Sequence, residues 1–260
     1  MRRYFVLSLL TILSLFALAV PSSAAPGKYV ALGDSYSSGL GAGSYGTSGS
    51  CKRSANSYPQ LWANAKAPSA FTFAACSGAV TADVLNSQIG TVTSDTSLVT
   101  ISIGGNDAGF ASVMTDCNLG SDSYCVARNN EAQNFARNTL PARLDSVYSK
   151  IRANAPNARV IVVGYPLIYK VSGSCFVGLS EIKRAAINDS SNVLATVTAA
   201  RAQAHNFTFL DGRTAFAGHE ICATGTRWIN SVSWPVEDSY HPNAAGQNGG
   251  YYTALARITG

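Results

Sequence analysis

Residues 29–39 read YVALGDSYSSG, an apolar run that ends in a glycine, an acidic residue and a series of hydroxyl side chains. The run from Tyr29 to Leu32 is typical of a buried strand, and Gly33 permits a tight turn into a following helix. At such a turn the hydroxyl of Ser35 lies at the edge of the sheet, beside the free N–H groups of a helix N-terminus. A simpler interpretation is that Asp34 or Ser35 only caps this helix.

The rest of the chain alternates between apolar runs and segments with helical spacing. The predicted strands are Tyr29 to Leu32, Phe71 to Ala74, Leu98 to Ile103, Arg159 to Val163 and Phe207 to Leu210. The predicted helices are Glu131 to Ala153, which Pro141 bends or splits, Ser180 to Ala204, and Pro242 to Ile258. Because such alternation implies crossover connections, we expect one α/β domain over residues 26–260, a three-layer α/β/α sandwich around a mainly parallel sheet.

The N-terminal segment has the pattern of a secretory signal. Two arginines precede an apolar stretch from Tyr4 to Val20, which Pro21 and four small residues follow. This pattern predicts a signal peptide over residues 1–25, cleaved after Ala24 or Ala25, and hence a secreted protein. A permanent membrane anchor is the alternative.

Charge excludes one class of partner. The formal net charge of the chain is +5, and it falls by two, to +3, when the two arginines of the signal segment are removed. No run rich in lysine and arginine occurs, whereas proteins that bind nucleic acids usually carry a clustered basic face. We therefore expect no nucleic-acid partner. Separately from this argument, we expect a monomer.

Six cysteines remain in the predicted exported chain: Cys51, Cys76, Cys117, Cys125, Cys175 and Cys222. An even number in an oxidising compartment predicts three disulfides. The sequence does not choose among the many pairings, of which chain order is the simplest. Long irregular stretches are predicted at residues 37–50, 108–130 and 211–240, and each contains a cysteine or ends next to one. Loops of this length in a compact domain are usually functional or cross-linked, and here we expect both. With no CxxC pair and scattered histidines, we expect no zinc or other metal site.

Two glycine-containing segments follow the second and third predicted strands. Gly78 occurs in Cys76-Ser77-Gly78-Ala79, and Asn106 in Gly104-Gly105-Asn106-Asp107. Ligands bind at the carboxyl ends of parallel strands, where a glycine N–H and the Asn106 amide can donate hydrogen bonds to a developing oxyanion. Each segment alone is also explained by an ordinary turn or helix cap.

A histidine near the C-terminus is the candidate general base. His241 precedes Pro242, the predicted first residue of the last helix, and follows Asp238 by three positions. A serine hydroxyl needs such a base, and the Asp238 carboxylate can orient the imidazole. The alternative is a surface histidine next to a helix cap, with no role in catalysis. His219 is a second candidate base, and His205 is expected to be structural.

These segments, taken in order, resemble the SGNH or GDSL hydrolase family. Its first block is similar to Gly33-Asp34-Ser35, its second to Gly78, its third to Gly104-Gly105-Asn106-Asp107 and its fifth to Asp238 through His241. Residues 29–39 and the six cysteines are most similar to secreted actinobacterial lipases, esterases and phospholipases of that family.

The resemblance implies a flavodoxin-like sheet of five strands, and it implies roles. Ser35 would be the nucleophile and His241 the base, with either Asp238 or the Ser239 carbonyl orienting the imidazole. The N–H groups of Ser35 and Gly78 and the Asn106 amide would form the oxyanion hole. Asp34 and Asp107 would brace turns, no cofactor would be needed, and pairing of the cysteines in chain order fits.

The expected substrate is a small-molecule or lipid acyl ester, with transient contact to a lipid interface. Apolar and aromatic residues in the flanking loops motivate an apolar acyl group: Tyr36, Phe110, Tyr165, Leu167, Ile168, Trp228 and Trp234. Two alternatives are a carbohydrate acetyl esterase, which the same catalytic set could serve, and a secreted binding module that retains an inactive hydrolase fold.

Overall fold

The protein is described by a computed structural model that covers residues 26–176 and 178–260. The predicted signal peptide, residues 1–25, lies outside the described residues. The strands are β1 Lys28–Gly33, β2 Phe71–Phe73, β3 Thr96–Ser102, β4 Arg159–Val163 and β5 Thr208–Leu210. They form one five-stranded sheet in the order β2-β1-β3-β4-β5, and every neighbouring pair is parallel. The predicted parallel sheet and its flavodoxin-like order are therefore confirmed.

The helices lie on both faces of this sheet. They are α1 Ser35–Ser38, α2 Tyr58–Lys66, α3 Thr81–Asp83, α4 Phe110–Leu119, α5 Asp122–Asn138, α6 Leu140–Asn154, α7 Glu181–Ala204, α8 Gly212–Ala215 and α9 Thr253–Thr259. Two π-helical turns, Val84–Gln88 and Gly246–Tyr252, and three 3₁₀ turns, Gly49–Cys51, Ile89–Thr91 and Val236–Asp238, complete the regular structure.

Alternate side chains of β1 enter two separate cores. Tyr29 and Ala31 belong to a buried cluster with residues of α2, α4 and α9, whereas Val30 and Leu32 belong to a cluster with residues of α6. Successive residues of a strand point to opposite faces, so a strand that is apolar throughout must be covered twice. The three-layer sandwich predicted from the sequence is confirmed.

The order of the strands in the sheet indicates where a ligand would bind. From β1 the chain passes to β2 on one side and then to β3 on the other. The connections at the carboxyl ends of β1 and β3 consequently diverge and leave a crevice between them, which is where ligands bind in open parallel sheets.

One predicted irregular stretch, residues 108–130, is instead largely helical. It contains α4 and the first half of α5, whose N-terminus is capped by the Ser121 hydroxyl accepting from the Tyr124 N–H at 3.2 Å. The prediction was wrong because α4 buries only the short stripe Val113, Met114 and Cys117, too little periodicity to indicate a helix.

The boundary between α5 and α6 was predicted correctly. The sequence places a bend or a break near Pro141, and the structure ends α5 at Asn138 and begins α6 at Leu140, with Pro141 in the first turn. Proline is tolerated there because the N–H groups of a first turn have no intrahelical acceptor.

The six cysteines pair in chain order, as Cys51–Cys76, Cys117–Cys125 and Cys175–Cys222. The first pair ties the loop after α1 to the segment after β2. The second joins the end of α4 to the start of α5. No helix within residues 26–176 or 178–260 has both the length and the apolar character needed to cross a membrane.

Candidate active site

The turn after β1 presents a serine at the edge of the sheet. Gly33 has a φ of +122°, and a Cβ there would lie 2.3 Å from the Ser102 carbonyl oxygen, so only glycine fits. Asp34 caps α1 by accepting a hydrogen bond from the Tyr36 N–H at 3.0 Å. The cap predicted for this turn is thus Asp34. The hydroxyl of Ser35 makes a different contact.

Ser35 and His241 meet at this edge. The Oγ atom of Ser35 lies 2.8 Å from Nε2 of His241, and Nδ1 of His241 lies 2.9 Å from the main-chain oxygen of Ser239. A carbonyl oxygen only accepts, so the proton is on Nδ1 and Nε2 is left to accept from the serine hydroxyl. The pair is therefore arranged for proton transfer from Ser35 to His241.

The predicted contact between Asp238 and His241 is not made. The Asp238 carboxylate accepts a hydrogen bond from the Tyr45 hydroxyl at 2.9 Å instead. Asp238 ends a 3₁₀ turn, and the extended Ser239 that follows presents its own carbonyl to the imidazole. Of the two alternatives, this geometry fits the one in which the Ser239 carbonyl orients the ring.

The backbone around His241 is fixed on both sides. Tyr240 has a φ of +65°, and its carbonyl oxygen accepts from the Tyr36 hydroxyl at 2.7 Å. The carbonyl of His241 accepts from the Asn230 N–H at 2.9 Å. Pro242 does not open the last helix as predicted. It pairs with Ile229 in an isolated antiparallel bridge.

The helix that follows is capped one residue later. The side-chain oxygen of Asn243 accepts from the Gly246 N–H at 3.0 Å, and the Asn243 carbonyl accepts from the Gln247 N–H at 2.9 Å. Asparagine at such a position is a stronger cap than the preceding proline could provide. The bridge and the cap together fix the segment that carries His241.

Burial keeps the imidazole neutral. Removal from water lowers the pKa of His241 from 6.5 to about 4, and the hydrogen bond to the Ser239 carbonyl raises it only in part. The Tyr36 ring covers one side of the imidazole, with ring centroids 5.2 Å apart. At neutral pH the side chain is therefore in the form that can accept a proton.

The candidate oxyanion donors face the same groove. Ser35, Gly78, Asn106 and His241 line it together. Gly78 has a φ of +80°, and its N–H has no acceptor among the residues that the structure describes. One hydrogen of the Asn106 amide donates to the Ala79 carbonyl at 3.0 Å. That bond fixes the plane of the amide and leaves its second hydrogen free to donate.

Tyr165, which follows β4, has a role that the sequence analysis missed. Its hydroxyl donates to the Asp34 carboxylate and accepts from the Gly105 N–H at 3.1 Å. The same carboxylate accepts from the Ser102 hydroxyl at 2.7 Å. Burial raises the pKa of Asp34 from 3.8 to about 6, and the hydrogen bonds from Tyr165 and Ser102 lower it in part. Its place directly after a strand is the signal that could have found it.

Asp107 braces the loop that carries Asn106. Its carboxylate accepts from the N–H and the hydroxyl of Thr81 at 2.9 and 2.6 Å, and it pairs with Arg143 at 3.2 Å. The bracing role implied for Asp107 agrees with these contacts. They connect the loop after β3 to α3 and α6.

A channel leads from Ser35 into the interior between α4, α5 and α7. Its lining is mainly apolar and includes Phe110, Val113, Met114, Ala132, Ile168, Ile187 and Leu194. Of the flanking residues that suggested an apolar ligand, Tyr36, Phe110, Tyr165 and Ile168 line this channel. Leu167, Trp228 and Trp234 line neither the channel nor the groove.

The inner wall of the channel is polar where α5 packs on α7. The Ser190 hydroxyl donates to the Asn129 side-chain oxygen at 2.7 Å, and the Gln133 amide donates to Ser190 at 3.3 Å. These groups satisfy one another's hydrogen bonds at the contact between the two helices.

The other two histidines lie outside the channel and the groove. Nε2 of His205 is 3.0 Å from Asp145. The ring of His219 stacks on Trp228 with ring centroids 3.5 Å apart, and its Nδ1 lies 2.6 Å from the Thr226 carbonyl. Both rings are explained by local packing.

Comparisons with known proteins agree with this geometry. Residues 31–248 match the GDSL-like Lipase/Acylhydrolase family. The chain is 54% identical to Lipase 1 of Streptomyces coelicolor over 98% of each chain. Its structure superposes with a TM-score of 0.88 on phospholipase A1 of Streptomyces albidoflavus NA297, at 56% identity over 90% of this chain and 99% of that one. The same TM-score and identity relate it to the extracellular lipase of Streptomyces rimosus, over 90% of this chain and 100% of that one.

The family match covers most of the chain and includes all four of the segments that suggested it. The chain belongs to the GDSL-like lipase/acylhydrolase family, and it is an ester hydrolase.

Proposed function

We propose that the protein is a secreted hydrolase of long-chain acyl esters that works through an acyl-enzyme on Ser35. The observation that carries the proposal is the Ser35–His241 contact of 2.8 Å at the mouth of an apolar channel. We assign the channel to the acyl chain because its lining is mainly apolar, and the open groove to the alcohol part of the ester. Relatives named as lipases and as a phospholipase A1 support this substrate class.

The chemistry follows from the positions of the atoms. The Ser35 oxygen attacks the ester carbonyl carbon while its proton passes to Nε2 of His241. The negative charge that develops on the carbonyl oxygen is held by the N–H groups of Ser35 and Gly78 and by the Asn106 amide. As the intermediate collapses, the bond to the alcohol oxygen breaks and His241 returns the proton to that oxygen.

Water then hydrolyses the acyl-enzyme by the same steps. His241 takes a proton from a water molecule, the resulting hydroxide attacks the acyl carbon, and Ser35 leaves with the proton from His241. In both acylation and deacylation, the Ser239 carbonyl orients the imidazole and stabilises its charged form. Such a carbonyl performs the orienting part of the role that an aspartate has in a triad.

A substrate panel tests the proposal. Initial rates are measured on p-nitrophenyl acetate, octanoate and palmitate, on phosphatidylcholine and on acetylated xylan, with Ser35→Ala as the control. We expect the long-chain esters to be preferred and Ser35→Ala to be inactive. Release of acetate from xylan without octanoate turnover would instead indicate a carbohydrate acetyl esterase.

A covalent probe separates an enzyme from an inactive binding module. An alkyl phosphonate should form one adduct, on the peptide that contains Ser35, and the adduct should be absent in Ser35→Ala. An unlabelled wild-type protein that still binds lipid would favour the binding module.

Secretion is the second part of the proposal. Three disulfides are typical of an oxidising compartment, and the related lipase of Streptomyces rimosus is named as extracellular. N-terminal sequencing of the protein from the culture medium should begin at Ala25 or Pro26. A cell-associated protein that retains residues 1–25 would contradict this.

A further inference from the structure

Large apolar side chains are exposed at few places among the described residues, and a group of them surrounds the groove. Leu119, Val232 and Val236 line the groove that holds Ser35, and their exposed fractions are 84%, 60% and 67%. Trp234 lies between the two valines in the chain and is 91% exposed. We call Leu119, Val232, Trp234 and Val236 the rim.

The rim has two sides that belong to different elements. Leu119 ends α4 on one side of the groove, and the other three residues are on the segment between Asn230 and Tyr240. An apolar surface that covers the groove would therefore contact both sides of the rim at once. Exposed apolar surface next to a binding groove is typical of an interaction site.

The segment that carries three of the rim residues is held in place. The Ser233 N–H donates to the Ser239 hydroxyl at 2.9 Å, and the Tyr240 N–H donates to the Asn230 carbonyl at 2.9 Å. A salt bridge of 2.6 Å joins Glu237 to Lys52. The apolar side chains are thus presented on an anchored backbone, which reduces the entropy lost when they bind a surface.

The cations beside the rim are paired with carboxylates. Lys52 neutralises Glu237 on one side of the groove, and Arg128 contacts Asp116, one turn before the end of α4, at 2.7 Å on the other. Among the described residues, the lining of the groove contains no lysine or arginine that could attract an anionic surface. A surface without net charge is the better match.

We infer that the rim docks on the uncharged or zwitterionic surface of a lipid aggregate and holds the groove against it. Tryptophan and aliphatic side chains favour such an interface. The acyl chain of an ester in that aggregate then has a continuous apolar path past the rim to the channel at Ser35. The inference rests on the proposed function, because it takes the aggregate to be the source of the ester.

A binding experiment tests the docking without hydrolysis. In a Ser35→Ala background, co-sedimentation with phosphatidylcholine vesicles is compared for the parent, Trp234→Ser, Trp234→Phe and Phe176→Ser. Phe176 is a matched control, since it is exposed and does not line the groove. We expect Trp234→Ser to partition about tenfold more weakly, Trp234→Phe to recover most of the binding, and Phe176→Ser to behave as the parent.

An activity experiment on the protein with an intact Ser35 separates docking from chemistry. Trp234→Ser should hydrolyse dissolved p-nitrophenyl butyrate at the parent rate and phosphatidylcholine vesicles about tenfold more slowly. If no acyl ester is turned over at all, the proposed function fails while the sedimentation result still reports on docking.

Three results would overturn the inference. One is equal partition of Trp234→Ser and its parent. Another is binding only to vesicles of phosphatidylglycerol that is abolished by salt, which would indicate electrostatic attraction. The third is a dimer in sedimentation velocity that Trp234→Ser dissociates, which would make the rim an interface between two copies of the chain.

Discussion

The hydroxyl of Tyr165 donates a hydrogen bond to the buried carboxylate of Asp34. The same hydroxyl accepts from the Gly105 N–H at 3.1 Å. Asp34 immediately precedes Ser35, and Gly105 immediately precedes Asn106. One oxygen atom thus connects the loop that carries the nucleophile to the loop that carries a candidate oxyanion donor.

Replacing this hydroxyl should impair turnover more than substrate binding. We expect Tyr165→Phe to lower kcat by about tenfold to a hundredfold, because small displacements of reacting groups are costly, with KM for a dissolved ester unchanged. Steady-state kinetics on p-nitrophenyl butyrate measure both constants. Tyr148→Phe is the matched control, since the Tyr148 hydroxyl is buried without a partner among the described residues. A loss of thermal stability in Tyr165→Phe with kcat intact would show a purely structural role.

Asp238 should be dispensable for catalysis. Its carboxylate is hydrogen-bonded to Tyr45, and the Ser239 carbonyl occupies the position next to Nδ1 of His241. We expect Asp238→Asn to change kcat by less than about tenfold, whereas loss of a triad aspartate costs about 10⁴-fold. Asp238→Asn removes the charge but keeps an oxygen that can accept from Tyr45, whereas Tyr45→Phe removes the hydrogen bond itself and should have an equally small effect. A large decrease of kcat in Asp238→Asn alone would show that Asp238 belongs to a catalytic triad.

The positions of Ser35, Gly78 and Asn106 were predictable because a parallel sheet brings the carboxyl ends of its strands to one edge. The choice between Asp238 and the Ser239 carbonyl was not, since both are within reach of the imidazole along the chain. The backbone dihedrals of a short turn decide between them, and no residue type in that turn specifies the outcome. The hydrogen-bonding role of Tyr165 was missed for a related reason. Its role depends on a distance between two loops that only the folded sheet defines.

The pH dependence of kcat/KM should show an acid limb near the lowered pKa of His241. Only the neutral imidazole accepts the Ser35 proton, and burial lowers its pKa from 6.5 to about 4. We therefore expect activity to persist at pH values well below 6.5 and to fall as the pH passes through about 4. A midpoint at 6.5 in a profile measured on a dissolved ester would show that His241 is as hydrated as a free histidine.

A step at about pH 6 would have a different origin. Asp34, whose pKa is raised to about 6, is the other titrating group next to Ser35. The hydrogen bond from Tyr165 lowers that pKa, so a step due to Asp34 should move to higher pH in Tyr165→Phe. A step that stays in place would not belong to Asp34.

The Asn106 amide should contribute to the transition state rather than to substrate affinity. One hydrogen of this amide is fixed on the Ala79 carbonyl, and the residue lines the groove that holds Ser35. Loss of one oxyanion donor costs about 10²–10³-fold in kcat, and we expect this of Asn106→Ala with KM nearly unchanged. Asn64→Ala, on the exposed face of α2, is the control. A rise in KM at constant kcat would assign Asn106 to ground-state binding.

The channel should set the preferred length of the acyl chain. Ala132 lines it on α5, and a larger side chain there would project into the space between α4 and α7. We expect Ala132→Phe to lower kcat/KM for palmitoyl esters by about tenfold or more and to leave butyryl esters almost unaffected, because each methylene excluded from an apolar pocket costs binding energy. Ala127→Phe places the same ring on the exposed face of the same helix and should change neither rate. Equal loss on both esters would mean that the new ring disturbs Ser35 or its partners. Equal retention would mean that the acyl chain follows the open groove instead, in which case the channel has no part in selecting the substrate.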